Sequence, residues 1–149
     1  MKNLTYGGII AAAGNVSVPA TVAVVQDFDR PNGREYAVSV EFDQHVFTGL
    51  GADAFWAFER AREQYEPLGW RVAVQGASVR CFPSGMQGEA GALMVYRHPE
   101  SLEDAQPEPV VTFAAAALDE IVTFAEQMAA QRERMEPLRR SGQTDRRRP

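Results

Sequence analysis

The chain has 149 residues, 45% of them apolar, with one cysteine and a net charge of −5. That length fits one domain able to bury its own core. The lone Cys81 excludes an internal disulfide, and together with His45 and His98 it makes no zinc-ligand set, so neither a metal nor another cofactor is expected.

The charge is unevenly spread. Residues 132–149 hold seven arginines against Glu133, Glu136 and Asp145, which leaves eight basic and seventeen acidic side chains on residues 1–131. A body at −9 repels nucleic-acid phosphates and steers cationic partners toward itself. Alanine and arginine are abundant and Lys2 is the only lysine, a usage associated with GC-rich bacterial genomes.

In chain order, Leu4 to Ala13 imitates a short signal-peptide core, but only Lys2 precedes it and Gly7-Gly8 interrupts it. No run approaches the roughly 18 apolar residues of a membrane-spanning helix, so the expected location is cytoplasmic. Thr21 to Phe28 reads as a strand, and Asp29-Arg30-Pro31-Asn32-Gly33 as the turn of a hairpin. In the second arm Tyr36, Val38, Val40 and Phe42 alternate with Glu35, Ala37, Ser39, Glu41 and Asp43, the pattern of a strand with one buried face.

Asp53 is placed to cap a helix running to Glu66, stopped by Pro67 and Gly69. Phe55, Phe58, Ala61 and Tyr65 form its apolar stripe, with Trp56 beside it and partly exposed. Glu59, Arg60, Arg62, Glu63 and Glu66 take the solvent side. Trp70 to Gln75, Ser78 to Phe82 and Ala92 to Arg97 read as short antiparallel strands, with Val110 to Phe113 as a further edge strand. Pro99 to Pro109 is an acidic connector rich in turn formers. A long helix is expected from Ala114 to about Met135, with Leu118, Ile121, Val122, Ala125, Met128, Ala129 and Met135 on one face, ended by Pro137. Residues 138–149 read as a disordered basic tail behind a single domain, 1–137.

These elements make an α+β fold, an antiparallel sheet of five to seven strands with two helices packed on one face. The loop from Phe82 to Gly91, with three glycines, a proline and Ser84, is the leading candidate for function. Its Pro-Ser-Gly-Met lacks the Gly-x-Ser-x-Gly hydrolase elbow, and Gly85, Gly88 and Gly91 do not form a phosphate-binding fingerprint. It reads as a recognition surface made by Ser84, Gly85, Met86, Gln87 and Glu89. The carboxylates of Asp27, Glu35, Glu41 and Asp43 are expected together on the outer face of the hairpin, where Glu35, Glu41 and Asp43 would meet a basic partner. No nucleic-acid or membrane partner is expected. Two alternatives stay open: a small enzyme using Cys81 or Ser84 with His98, and a homo-oligomeric structural subunit.

The series Gly69-Trp70-Arg71, Pro83-Ser84-Gly85-Met86, Gly88, Gly91 and Tyr96-Arg97 resembles a pattern in small bacterial proteins, some of them immunity proteins of toxin–immunity systems. It covers about thirty residues and carries over no functional residue. The resemblance implies a non-catalytic cytoplasmic protein that binds a basic toxin.

Overall fold

A computed structural model describes residues 2–31, 33–100 and 106–146, with the backbone alone from 138 onward. The fold is α+β. Strands β1 (Lys2–Ala13), β2 (Val16–Arg30), β3 (Gly33–Phe42) and β4 (His45–Gly51) form a curled antiparallel meander, and the short β5 (Arg71–Val72) joins the β1 edge. A separate three-stranded sheet holds β6 (Cys81–Phe82), β7 (Met94–Arg97) and β8 (Glu108–Val111).

The Leu4 to Ala13 run lies inside this sheet, between β2 and β5, and the Gly7-Gly8 interruption is a bulge in its register with β2. The expected β2–β3 hairpin forms, with Arg30 opposite Gly33; Asn32 lies outside the described residues. The second hairpin turns at Asp43-Gln44, where φ is 51° and 63°. Two positive values between paired Phe42 and His45 are those of a type I′ turn, whose twist suits adjoining strands.

Helix α1 (Ala54–Tyr65) begins where expected: the Asp53 carboxylate accepts from Trp56 N–H at 2.9 Å. Phe55, Phe58, Ala61 and Tyr65 are buried, and Trp56 is 42% exposed. The helix lies so close to β4 that a Cβ at Gly49 would stand 2.1 Å from the Ala57 carbonyl oxygen. Only glycine permits that approach. Pro67 sits in a 3₁₀ turn over Glu66–Leu68, and Gly69 ends it at φ 91°.

Several expectations fail. The strands expected at Trp70–Gln75 and Ser78–Phe82 shrink to β5 and β6, separated by a 3₁₀ turn at Gln75–Ala77. The final helix, α3 (Phe124–Arg146), starts ten residues later than expected and runs through Pro137. Residues 114–121 stay extended or 3₁₀ because their backbone groups bond segment 73–79: Gln75 N–H donates to Ala114 O, Ala116 N–H to Ala73 O, and Val79 N–H to Glu120 O. Leu118 and Met135 are exposed rather than on a buried stripe. The helix starts at a capping box in which Thr123 and Glu126 bond each other's backbone N–H. Of the connector and the tail, residues 101–105 and 147–149 lie outside the described residues.

Arg62, expected in solvent, is 1% exposed. Its guanidinium lies between the rings of Phe58 and Phe124 and donates to Glu66 at 2.7 Å, Gln127 at 2.5 Å and the Val122 carbonyl at 2.8 Å. Glu66 also accepts from Phe124 N–H, and Gln127 donates to the carbonyls of Gly76 and Cys81. One buried cation therefore ties α1 to the start of α3 and to the small sheet. Glu59, also expected in solvent, is buried at the same junction.

Candidate functional site

The Phe82 to Gly91 loop contains a short helix, α2 (Gly85–Glu89). Ser84 Oγ accepts from Gln87 N–H at 3.1 Å, and Gln87 Oε1 accepts from Ser84 N–H at 2.9 Å. This reciprocal pair satisfies donors that a helix start leaves open. The far end is pinned to the large sheet and to the start of α1. Arg34 donates to Gly88 O at 2.9 Å, and Ala54 N–H donates to Gly91 O at 2.7 Å. Gly91 has φ 104° and lies under Tyr36, whose hydroxyl would be 2.3 Å from any Cβ there. Both the torsion and the contact require glycine.

Of the five loop residues proposed for recognition, Ser84 and Gln87 spend their polar groups on capping, while Gly85, Met86 and Glu89 face solvent. Met86 is 83% exposed. Beside it runs a groove of about 720 Å³ between α2 and the outer face of the small sheet, walled by Met86 and Ala90 and floored by Leu93, Met94, Tyr96 and Pro109. Cross-strand partners share a face, so Tyr96 with Pro109, and Met94 two residues before Tyr96, lie on the groove side, while Val95 points into the second core with Cys81, Phe55 and Ala92. Sequence reasoning missed this floor, because β7 is apolar on both faces.

The acidic residues do not form the single surface expected of them. Asp27 and Glu35 stand opposite each other at the β2–β3 tip, where Arg30 approaches both, at 3.6 and 2.7 Å. Glu41 and Asp43 sit six and eight residues beyond Glu35, at the other end of the sheet, roughly 20 Å away along an extended strand. There Glu41 lies opposite Thr21 and Val46, and Asp43 turns the chain, its carbonyl accepting from His45 Nδ1. The residue of β3 that reaches α2 is Arg34, at Gly88, and the neighbouring Glu35 is engaged by Arg30.

Cys81, Ser84 and His98 form no hydrogen-bonded set either, although His98 N–H donates to Arg80 O beside Cys81. The Cys81 thiol is buried and directed at Gln75 Oε1, 3.6 Å away, and burial raises its pKa. Arg97 joins the same cluster, donating to Gln75 and, through both terminal nitrogens, to Glu120, which lowers the Glu120 pKa. Burial, with the Arg134 charge behind it, lowers the pKa of His98. Neither Cys81 nor Ser84 is hydrogen-bonded to His98. Among the described residues no group of three or more His, Cys, Asp or Glu is arranged to hold a metal, and no helix is long and apolar enough to cross a membrane.

No family model matches this chain, and no curated protein matches it.

Proposed function

We propose that this chain is a non-catalytic protein-binding domain, and more finely a cytoplasmic immunity protein that neutralises a basic bacterial toxin by direct binding. The observation that carries the reading is Met86, a large apolar side chain 83% exposed on a helix held at both ends. A flexible side chain on a rigid support, next to an uncovered apolar groove, is the form of an interface anchor. The acidic body adds steering toward a cationic partner, with Glu89 on the same short helix as the anchor and Glu41 and Asp43 offering a separate contact at the end of the sheet away from Glu35.

The test is calorimetric titration of the full chain with the purified product of its neighbouring gene. A complex of roughly micromolar affinity or tighter is expected, weakened when Met86 is replaced by Asp. No complex at that concentration overturns the immunity reading. Alkylation of Cys81 in the folded protein should be slow, as befits a buried thiol with a raised pKa; rapid reaction at neutral pH counts against a non-catalytic role.

A further inference from the structure

The chain carries six sulfur atoms, five in methionines and one in Cys81. The fold sorts them by access to solvent. Met86 is 83% exposed, against 39% for Met135 and 38% for Met94, and Met128 is half-buried. Met1 lies outside the described residues. Cys81, the residue type that oxidants ordinarily reach first, is buried in the second core, and burial raises its pKa although the Arg97 charge beside it pulls the other way. The thiolate is the reactive form, so Cys81 is short of both access and reactivity.

Met86 also stands out in how little rests on its side chain. The helix that carries it is held by the Ser84–Gln87 pair, the Ala90 N–H bond to the Met86 carbonyl, the Arg34 bond to Gly88 O and the Ala54 N–H bond to Gly91 O. None of these uses the thioether. Met86 belongs to neither buried apolar cluster. A change of polarity at its sulfur therefore leaves these bonds and both cores as they are.

We propose that Met86 is a site of reversible oxidation, at which a hydroperoxide switches off partner binding without unfolding the domain. A lone pair of the Met86 sulfur attacks one peroxide oxygen, so that an S–O bond forms as the O–O bond breaks. Sulfur gives up two electrons, and the departing oxygen takes the proton from the transferred one and leaves as water or an alcohol. In the reverse step two thiols supply two electrons, a disulfide forms and the oxygen leaves as water. The sulfoxide is polar where the thioether was apolar, and its oxygen must be stripped of water before it can dock. The inference rests on the protein-binding reading above, in which Met86 is the anchor, and adds the regulation of that site.

Graded exposure of the full chain to hydrogen peroxide, read by peptide mass mapping, gives the order of oxidation. Met86 should gain one oxygen at least about fivefold faster than Met94, Met128 or Met135, with the Cys81 thiol still open to alkylation once the chain is unfolded. Protein oxidised at Met86 alone should keep its urea midpoint within error of the parent. Its affinity for the purified product of the neighbouring gene should fall at least about tenfold, and methionine sulfoxide reductases for both epimers, with dithiothreitol, should restore it. In Met86→Leu, peroxide should leave the affinity where it stood before treatment. Equal oxidation rates at Met86 and Met135, loss of the Cys81 thiol before Met86 reacts, or a urea midpoint that falls as Met86 oxidises overturns the inference. So does an affinity unchanged by full oxidation at Met86, or lowered by peroxide equally in Met86→Leu. If the untreated chain does not bind that product, the immunity reading falls, and the mapping and urea arms still decide the modification site. If it binds and oxidation changes nothing, the immunity reading stands and the switch falls.

Discussion

Four of the five strands in the large sheet follow one another along the chain and are seven to fifteen residues long, whereas the small sheet joins three strands of two to four residues drawn from separated segments. The large sheet is held by its ladder and by α1 pressed onto glycines of β4. The small sheet is held mainly by side chains: Arg62, Gln127, and the Arg97–Glu120 pair. The difference separates two tasks. Long local ladders fix a scaffold, while a short sheet fastened by buried polar side chains leaves its outer face free to present a groove.

The largest effect that would break this division is at Arg62. Arg62→Ala removes a buried cation, strands Glu66 and Gln127, and leaves a gap between Phe58 and Phe124. The expected loss is about 3–5 kcal/mol by urea unfolding, with the junction of α1, α3 and the small sheet failing first in hydrogen exchange. A loss below about 1 kcal/mol would show that the small sheet does not depend on this hub. Gly49→Ala attacks the other region. Its Cβ meets helix backbone, which cannot swing aside, so about 3 kcal/mol should be lost through forced separation of β4 and α1. Protection should fall first in β3 and β4 and leave the Arg62 hub intact.

A smaller effect comes from Glu59, at the boundary of the two regions. Burial and the adjoining Glu63 carboxylate push its pKa up to about 7, against the pull of Arg60 and Arg62. The folded protein therefore binds a proton that the unfolded chain, near 4.5, has released. Stability should fall as pH rises from about 4.5 to about 7 through this group. Glu59→Gln should remove that slope, raising Tm near pH 8 by about 3 °C, the shift that roughly 1 kcal/mol produces in a domain of this size, with little change near pH 4. Equal gains at both pH values would assign the effect to packing instead.

What was legible in the chain follows the same division. The β2–β3 hairpin and the Asp53 cap were readable because Pro31, Gly33 and Asp53 act within a few residues of themselves. The turn at Asp43-Gln44 was not, since its positive φ values are borne without glycine. Arg62 carried only the signal of a polar helix face, and its burial depends on Gln127 and Phe124 sixty residues away. The stretch from Ala114 to Ile121 favours helix by composition, but backbone bonds to segment 73–79 override that preference. Two signals were present and unused: Ser84-x-x-Gln87 and Thr123-x-x-Glu126 are capping boxes that mark where α2 and α3 begin. The groove floor could not be inferred from periodicity, because Met94 and Tyr96 alternate with residues as apolar as Val95.

The smallest effect sharpens the comparison most. A helix of five residues has no independent stability in water, so α2 persists through its cap, the Arg34 bond to Gly88 and the seat of Gly91 under Tyr36. Ser84→Ala deletes one acceptor and should cost about 1 kcal/mol, felt only where the cap acts. Exchange of the Gln87 amide should quicken about fivefold, and affinity for the protein partner proposed above should fall by a similar factor as Met86 loses its fixed position. The global urea midpoint should not move, because the Ser84–Gln87 bonds are confined to the first turn of α2 and belong neither to the Arg62 hub nor to the β4–α1 contact. A midpoint that falls in step with Gln87 exchange would mean that α2 unfolds only with the whole domain. The presenting region would then be as much a part of the cooperative core as the scaffold, and flexibility at the groove could not be tuned apart from overall stability.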